Sequence, residues 1–332
     1  MTGVRVLLAS LVTVCVACAA QDVQRGQPAE RAPNLDTDSM GVVPTTTVIR
    51  LRARSELVEN SAATLSATQP GIFFTLNDSG SEPLLFAFDS TGADRGMWRV
   101  TDASNDDWES ASTGPCSGSA AGATAAPPRE CVYIGDTGDN GADRPSRVIY
   151  RIVEPGAERA GFTGEVAAEA LVYRYEDGPH DVEAMYVAPN ADTYLITKRS
   201  LEDSSGRRRP SLVFRLPADA WRAGSAVVAA LVDSLPVVPG SAPKRQITDA
   251  ALSPDGRHLA VRTYAQVYVF ATDSATGRVR ASVPPGVCNI GALARWQGEG
   301  VAWFGRTGTL LLTNEGRRSP MFVVGCPVPA ER

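Results

Sequence analysis

The feature that most constrains this 332-residue chain is a short pattern that occurs five times along its length. In each occurrence a strand-like segment begins beside a hydroxyl or carboxylate side chain, and an apolar segment ending in a polar or charged residue follows it. The five starts are Ser61-Ala62-Ala63, Glu109-Ser110-Ala111, Glu183-Ala184-Met185, Asp249-Ala250-Ala251 and Glu299-Gly300-Val301. The apolar segments span residues 73–78, 132–136, 194–198, 259–262 and 310–315. A pattern repeated in this way indicates a fold assembled from similar β-units.

Each repeat continues with a third strand rich in aromatic and β-branched residues, and four repeats continue with a fourth. The third strands are predicted over 84–88, 148–153, 212–216, 267–270 and 321–324. The fourth strands are predicted over 97–100, 170–175, 227–232 and 278–282. The predicted fold is therefore all-β, a five-bladed β-propeller in which the N-terminal strand 45–51 completes the last blade and closes the ring. A six-bladed propeller is the alternative, although the sequence shows no sixth copy of the inner-strand pattern.

The first residues are typical of an export signal. Arg5 precedes an apolar stretch over 6–16 that is too short to span a bilayer as a helix. The segment Cys15-Val16-Ala17-Cys18 is similar to a bacterial lipobox and predicts Cys18 as the lipidated residue of a cell-envelope lipoprotein. The predicted divisions are a signal peptide with lipobox at 1–18, a polar disordered tether at 19–43 and the propeller domain at 44–328. Ordinary signal cleavage, which would give a secreted or periplasmic protein, is the alternative.

Export would place the remaining cysteines in an oxidising compartment, where disulfides form and persist. Four cysteines follow Cys18, and four cysteines permit three connectivities. The alignment of the repeats favours Cys116–Cys131 within one blade and Cys288–Cys326 around the last blade.

The charge of the chain limits its partners. A formal net charge of −5 argues against a nucleic-acid-binding surface and gives no support for binding to anionic lipid. Contact with a membrane is therefore expected only through the lipid anchor. The oligomeric state is left open by the sequence.

The five inner-strand starts would face one another across a central channel. They are the predicted metal ligands, Ser61, Glu109, Glu183, Asp249 and Glu299. Carboxylates so close together destabilise one another unless a cation neutralises them. A set made only of oxygen ligands suits Ca²⁺ ahead of Mg²⁺, and the scarcity of histidine disfavours zinc.

The ends of the second strands would form an outer ring at the same mouth, because the two strands are antiparallel neighbours. Lys198, Arg199 and Arg262 are the predicted substrate-binding residues, since clustered cations bind phosphate or carboxylate. Asp78 and Asp136 come from other repeats and are the predicted catalytic residues that would orient a water molecule. Salt bridges between these cations and neighbouring acids are the alternative role.

These motifs resemble the calcium-activated nucleotidase (apyrase) family, within a wider set of exported bacterial phytase-like and esterase-like propellers. The matching segments are Asn77-Asp78-Ser79-Gly80, Asp107-Trp108-Glu109, Lys198-Arg199-Ser200 and Glu299-Gly300, scattered over residues 55–325. The resemblance implies a five-bladed propeller with a central Ca²⁺ held by one serine or glutamate from each blade. Asp249 falls where the family has its second serine, and Asn77 replaces an acid in the first turn.

Two functions of different classes follow. The first is Ca²⁺-dependent hydrolysis of an ester or anhydride of a phosphorylated small molecule. The alternative is a non-catalytic binding or scaffold propeller in which Ca²⁺ is structural. Glycan hydrolysis is a third reading, for which Trp108 is the one obvious aromatic platform at the mouth.

Overall fold

The computed structural model describes residues 41–52, 54–116, 129–198, 210–222, 227–235, 237, 246–305 and 308–330. The predicted signal peptide with Cys18, most of the predicted tether and the predicted substrate ligand Arg199 lie outside these residues. No helix in the described ranges is long and apolar enough to cross a membrane.

The described chain is all-β, with two short 3-10 helices at Ala218–Arg222 and Gly291–Leu293. The first strands of the five repeats are β2 (Asn60–Leu65), β6 (Trp108–Pro115), β11 (Val182–Val187), β15 (Ile247–Leu252) and β19 (Gly298–Trp303). The second strands are β3 (Ile72–Asn77), β7 (Glu130–Asp136), β12 (Thr193–Thr197), β16 (His258–Thr263) and β20 (Thr309–Asn314). The third strands are β4 (Leu84–Asp89), β8 (Arg147–Val153), β13 (Ser211–Leu216), β17 (Gln266–Ala271) and β21 (Pro320–Gly325). The remaining strands are β1 (Thr46–Arg50), β5 (Asp94–Thr101), β9 (Thr163–Ala167), β10 (Glu169–Tyr175), β14 (Val227–Leu235) and β18 (Gly286–Asn289).

The five first strands pack against one another in cyclic order, β2 on β6, β6 on β11, β11 on β15, β15 on β19 and β19 back on β2. Small residues permit this close approach. A Cβ added at Gly300 of β19 would lie 2.7 Å from the backbone nitrogen of Ala63 in β2. A closed ring of inner strands, each followed outwards by antiparallel neighbours, is the arrangement of a β-propeller. The prediction of an all-β, propeller-like fold is confirmed.

Outer strands join some of the repeats into larger sheets. Strand β10 pairs in parallel with β14, so that the second and third repeats form one sheet of eight strands. Strand β9, which the sequence pattern did not predict, pairs in parallel with β5. Because hydrogen bonding does not separate the sheets repeat by repeat, the count of five blades stays a prediction.

One predicted outer strand is wrong. Residues 278–282 do not form the fourth strand of the fourth repeat; β18, which contains Cys288, pairs with β17 instead. The segment after β17 turns back on itself, because the Asp273 carboxylate accepts hydrogen bonds from the backbone and hydroxyl of Thr276. The residues in this turn are therefore not available to form a fourth strand.

Both predicted disulfides are present. Strand β1 pairs antiparallel with β21, as predicted for the N-terminal strand. Cys288 on β18 is bonded to Cys326, which directly follows β21, and Cys116 is bonded to Cys131 at the loop end of the β6–β7 hairpin. The two bridges indicate a chain that matures in an oxidising compartment.

Replacing Cys288 and Cys326 together by alanine is expected to lower the free energy of unfolding by about 4 kcal/mol, against about 3 kcal/mol for Cys116 and Cys131. The bridges span 38 and 15 residues respectively, and the longer loop gains more unfolded-state entropy when it is opened. Urea unfolding of the two double variants under non-reducing conditions measures the difference. A smaller loss for the 288–326 pair would contradict the expected order.

Candidate cation site and channel mouth

Every first strand carries one register irregularity against its second strand, close to its start. The breaks fall between residues 60 and 62, 108 and 110, 182 and 184, 247 and 249, and 298 and 301. A β-bulge leaves its extra residue unpaired and re-aims that side chain. The oxygen-bearing side chains in these five bulges are Ser61, Glu109, Glu183, Thr248 and Glu299. We call these five residues the hub ring.

In the fourth repeat the bulge falls one residue before the predicted ligand, and Asp249 as a metal ligand stays a prediction. Asp249, the predicted metal ligand, is paired with Arg262 in the regular ladder, and the bulged residue is Thr248. The Thr248 side chain is fully buried, and its Oγ1 has no hydrogen-bond partner among the described residues. A buried hydroxyl without a partner costs free energy, so this position is one that an added ligand would satisfy.

The Asp249 carboxylate accepts hydrogen bonds from backbone amides. Its Oδ2 accepts a hydrogen bond from the Val301 amide at 2.8 Å and lies 3.5 Å from the Ala63 amide, while Oδ1 accepts from Ala250 at 2.8 Å. Burial raises the pKa of Asp249 well above its ordinary value, and these amides oppose the rise. Asp249 therefore ties β15 to β19 and reaches β2 across the channel.

The hub carboxylates are buried close to one another. The Ser61 hydroxyl donates to Glu109 Oε2 at 2.7 Å. Burial raises the pKa of Glu109 well above its ordinary value, and the charges of Glu183 and Asp78 add to the rise. Burial likewise raises the pKa of Glu299 to about 7. Without a cation, Glu109 and Glu299 hold protons near neutral pH or are repelled by the neighbouring carboxylates.

Lys198 is the cation that the protein itself supplies to the hub ring. Its Nζ donates to Glu183 Oε1 at 2.7 Å. Burial lowers the pKa of Lys198, but the Glu183 charge outweighs burial and raises it above the ordinary value. Burial also raises the pKa of Glu183, which would favour a neutral carboxyl. We take the pair as ionised, because a protonated Glu183 would leave a half-buried ammonium without its counter-charge.

A second group of acids extends the hub ring towards solvent. One carboxylate oxygen from each of Asp78, Asp107 and Glu109 lies within 4.8 Å of the other two. Burial raises the pKa of Asp107 to about 6, and the charge of Asp78 acts in the same direction. A Cβ at Gly138 would lie 2.4 Å from Asp107 Oδ2, so glycine keeps this space open. We call Asp78, Asp107 and Glu109 the acidic triad.

The register also defines which residues lie at the mouth. The first residue after each second strand is Asp78, Thr137, Lys198, Tyr264 or Glu315. Tyr264, in the turn between β16 and β17, therefore takes the place in the fourth repeat that Lys198 takes in the third. Burial raises the pKa of the Tyr264 phenol, and the charges of Glu299 and Glu183 add to the rise.

Arg262 lies deeper than the predicted mouth position. Its side chain is 1% exposed, and its guanidinium donates to the backbone oxygens of Gly300 and Thr313 and to Asn314 Oδ1. A Cβ at Gly298 would overlap this guanidinium, so glycine makes room for it. Burial lowers the pKa of Arg262 to about 10, although Glu299 and Asp249 oppose the shift. The geometry favours a structural role between β16, β19 and β20, and contact with substrate stays a prediction.

The two predicted catalytic aspartates occupy different surroundings. Asp136 is buried; its Oδ1 accepts from Arg144 at 2.9 Å and its Oδ2 from the Asp106 amide at 3.1 Å. Asp78 is half-buried and belongs to the acidic triad. Asp78 is therefore the better placed of the two to face a ligand, and the role of Asp136 in catalysis stays a prediction.

Sequence reasoning missed Thr248 in the hub ring and Thr137 and Tyr264 at the mouth, and it placed Asp107 near the mouth without making it a ligand. The position of Asp107 could have been predicted from the sequence. Residues two apart in an extended segment share a face, and Glu109 follows Asp107 at that spacing. Thr248 and Tyr264 could not have been predicted in this way, because both depend on where the bulge and the turn fall in the fourth repeat.

The metal-free protein is expected to lose stability as the pH rises from about 4 to about 7. Unfolded carboxyls titrate near pH 4, whereas burial raises the pKa of Asp107 to about 6 and of Glu299 to about 7. The folded state therefore binds more protons than the unfolded state in this window, and stability falls as the pH rises. Melting temperatures in chelator measure the slope. A double variant, Asp107→Asn with Glu299→Gln, is expected to reduce this slope, and a melting temperature that rises throughout the window would contradict the expectation.

Comparisons with known proteins give distant structural similarity only. No protein-family model and no curated protein matches the sequence. Glutaminyl cyclase from Myxococcus xanthus is similar with a TM-score of 0.45 and 15% identity, over 88% of this chain and 100% of that one. A PQQ-bound aldose sugar dehydrogenase from Streptomyces coelicolor gives 0.41 and 11%, over 86% and 98%. A gluconolactonase from Xanthomonas campestris gives 0.40 and 12%, over 86% and 90%. Similarity this low says nothing about the activity of this chain.

Proposed function

We propose that this protein is an exported, lipid-anchored, five-bladed β-propeller that binds Ca²⁺ at its hub. The observation that carries the proposal is the repeated bulge, which presents an oxygen-bearing side chain from each of the five inner strands. The lipid anchor at Cys18 and the domain limits given above are part of the proposal and depend on the sequence alone.

The donor set fits a hard cation. The hub ring offers two hydroxyls and three carboxylates, and the acidic triad adds Asp78 and Asp107 around Glu109. The unpartnered Oγ1 of Thr248 is a further point in favour, because a cation ligand would satisfy it. A hydroxyl in the fourth repeat also agrees with the nucleotidase resemblance better than Asp249 did. When bound, Ca²⁺ would neutralise the clustered carboxylates and polarise an oxygen of a bound phosphate.

Calorimetric titration of the chelator-treated full chain tests the cation site. We expect one saturable site that prefers Ca²⁺ to Mg²⁺, because the ligands are many and come from separate strands. The absence of a saturable heat for either ion, with a folded sample, would overturn the proposal and leave Lys198 as the cation of the hub.

Ca²⁺-dependent hydrolysis of a phosphate ester or anhydride is the second candidate function, and the positions of Lys198 and Tyr264 favour it. Both residues directly follow a second strand at the mouth, and the charges of Glu109, Glu183 and Glu299 act on their side chains. The Lys198 ammonium would hold a phosphoryl oxygen, and the Tyr264 hydroxyl would donate to another. Asp78, half-buried in the triad, would accept a proton from the attacking water. Arg199, outside the described residues, remains a predicted phosphate ligand.

Lys198→Met is expected to lower the rate of phosphate release about a hundredfold while leaving Ca²⁺ binding in place. The assay follows phosphate release from nucleoside di- and triphosphates and from phytate, with Ca²⁺ and with chelator. Arg215→Met is the matched control, because Arg215 lies on the surface and pairs with Asp192.

If the Ca²⁺-loaded wild type releases no phosphate from any of these substrates, the hydrolase is set aside in favour of the binding or scaffold propeller. If release occurs but Lys198→Met matches the wild type, the role given to Lys198 is wrong. Neither outcome touches the Ca²⁺ site, which the calorimetric experiment tests separately.

A further inference from the structure

The end of the channel opposite the acidic mouth opens into a cavity of about 690 Å³. Its wall includes the last residue of every first strand: Leu65, Pro115, Val187, Leu252 and Trp303. The hub ring lies at the starts of the same strands, so the two sites are separated by the length of the inner strands. We call this space the rear cavity. Its volume is in the range of cavities that bind small organic molecules.

The wall of the rear cavity is mostly apolar. Phe304 is half-buried and stacks on Phe73, with ring centroids 5.6 Å apart and an interplanar angle of 13°. The Trp303 indole is buried behind this wall, where a 2.9 Å hydrogen bond to the Ala251 carbonyl holds it. The half-buried Phe304 ring gives a ligand a fixed hydrophobic surface, and its face would also attract a cation.

Most hydroxyls of the wall are already engaged within the protein. Thr113 Oγ1 donates to the Leu65 carbonyl at 2.7 Å, and Ser112 Oγ accepts from the Val187 amide at 3.0 Å. Ser66 Oγ donates to Glu154. A neutral polar ligand would therefore find few open partners among these groups.

Glu130 is the one charged side chain among the described residues of the wall. It is half-buried, and no lysine, arginine or histidine of the described residues forms an ion pair with it. The charge of Glu154 also acts on Glu130, and Glu154 accepts from the amides of Ala67 and Thr68. The rim therefore carries negative charge that the described part of the protein does not neutralise, which excludes anions and favours a cation.

From this geometry we propose that the rear cavity binds an organic cation with an apolar body, such as an aromatic amine, with its ammonium group at Glu130. The apolar body lies against Leu65, Leu252 and Phe304, where its burial supplies the hydrophobic part of the affinity. The ammonium group supplies the counter-charge that Glu130 lacks. This site is independent of the hub ring and of the proposed Ca²⁺.

Three fluorescent probes that share a pyrene ring and differ in charge test the proposal: pyrenemethylamine, pyrenemethanol and pyrenecarboxylate. Fluorescence anisotropy with the full chain is expected to give the amine at least about tenfold tighter binding than the alcohol, and no measurable binding of the carboxylate. Glu130→Gln is expected to remove the preference for the amine. Glu165→Gln, at an exposed position on β9, is the matched control and is expected to keep it.

If Glu130→Gln fails to fold, a second variant still tests the proposal. Ala67 is exposed on the cavity rim, and Ala67→Trp is expected to weaken the binding of both amine and alcohol by filling the entrance. Equal affinities for amine and alcohol, or no binding of either, would overturn the proposal. So would amine binding that is lost in Glu109→Gln and kept in Glu130→Gln, because the amine would then lie at the acidic mouth.

Discussion

Thr248→Val is expected to lose most of the stabilisation that Ca²⁺ gives, while its metal-free form is as stable as the wild type or slightly more stable. Valine has nearly the shape of threonine, and Thr248 Oγ1 has no partner to lose. Removing a buried, unpaired hydroxyl relieves a desolvation cost of about 1 to 3 kcal/mol. Removing a cation ligand acts in the opposite direction, and only when the cation is present.

Chemical unfolding in chelator and in excess Ca²⁺ measures the two effects separately. A cation at about a hundred times its Kd stabilises the folded state by about 2.7 kcal/mol, so the wild-type increment is large enough to resolve. Thr313→Val is the matched control, because Thr313 is equally buried but its Oγ1 donates to Asn60 Oδ1 at 2.6 Å. The control is expected to lose about 1 kcal/mol in both conditions and to keep the Ca²⁺ increment. A full increment in Thr248→Val would show that this hydroxyl is not a ligand.

Arg262→Met is expected to lower the free energy of unfolding by about 3 to 5 kcal/mol. The substitution leaves the oxygens of Gly300, Thr313 and Asn314 without their donor. It also removes the positive charge that acts on Asp249 and Glu299, so that buried carboxylates lose their compensation.

The control for Arg262 is Arg99→Met, which breaks a 2.9 Å ion pair with Glu82 whose two side chains are 43% and 66% exposed. Exposed pairs contribute about 0 to 1 kcal/mol, so the two arginines should differ clearly in urea unfolding. Losses of equal size would mean that the guanidinium of Arg262 is not part of the structural framework. Arg262 would then again be a candidate for the substrate contact predicted from the sequence.

The repeated strands and their order followed from the sequence, because apolar segments of strand length recur with polar residues at both ends. The closing strand β1 and both disulfides followed from the same alignment of the repeats. The strand register in the fourth repeat could not be predicted in this way. Thr248 and Asp249 are adjacent oxygen-bearing residues, and only the position of the bulge decides which one leaves the ladder.

The same uncertainty in where a strand ends explains why Arg262, and not Tyr264, was predicted at the mouth. The predicted second strand ended at residue 262, whereas β16 continues to Thr263, so the residue that emerges at the mouth is Tyr264. A change of one or two residues at a strand end exchanges a buried side chain for an exposed one. The sequence pattern locates strands well, but it does not count the residues in a bulge, and the chemistry of this site depends on that count.

The pairing of β1 with β21 gives this protein a late final step in folding. Thr46 pairs with Val324, so the earliest strand described has no hydrogen-bonding partner until nearly the whole domain has been made. Contacts this far apart in sequence form slowly, and until they form the edges of β1 and β21 stay open to pairing with other chains. A chain that stops before residue 320 would keep most of its repeats yet have no β21 for β1 to pair with. The whole domain, rather than any single repeat, is then the smallest unit that can fold without exposing such edges.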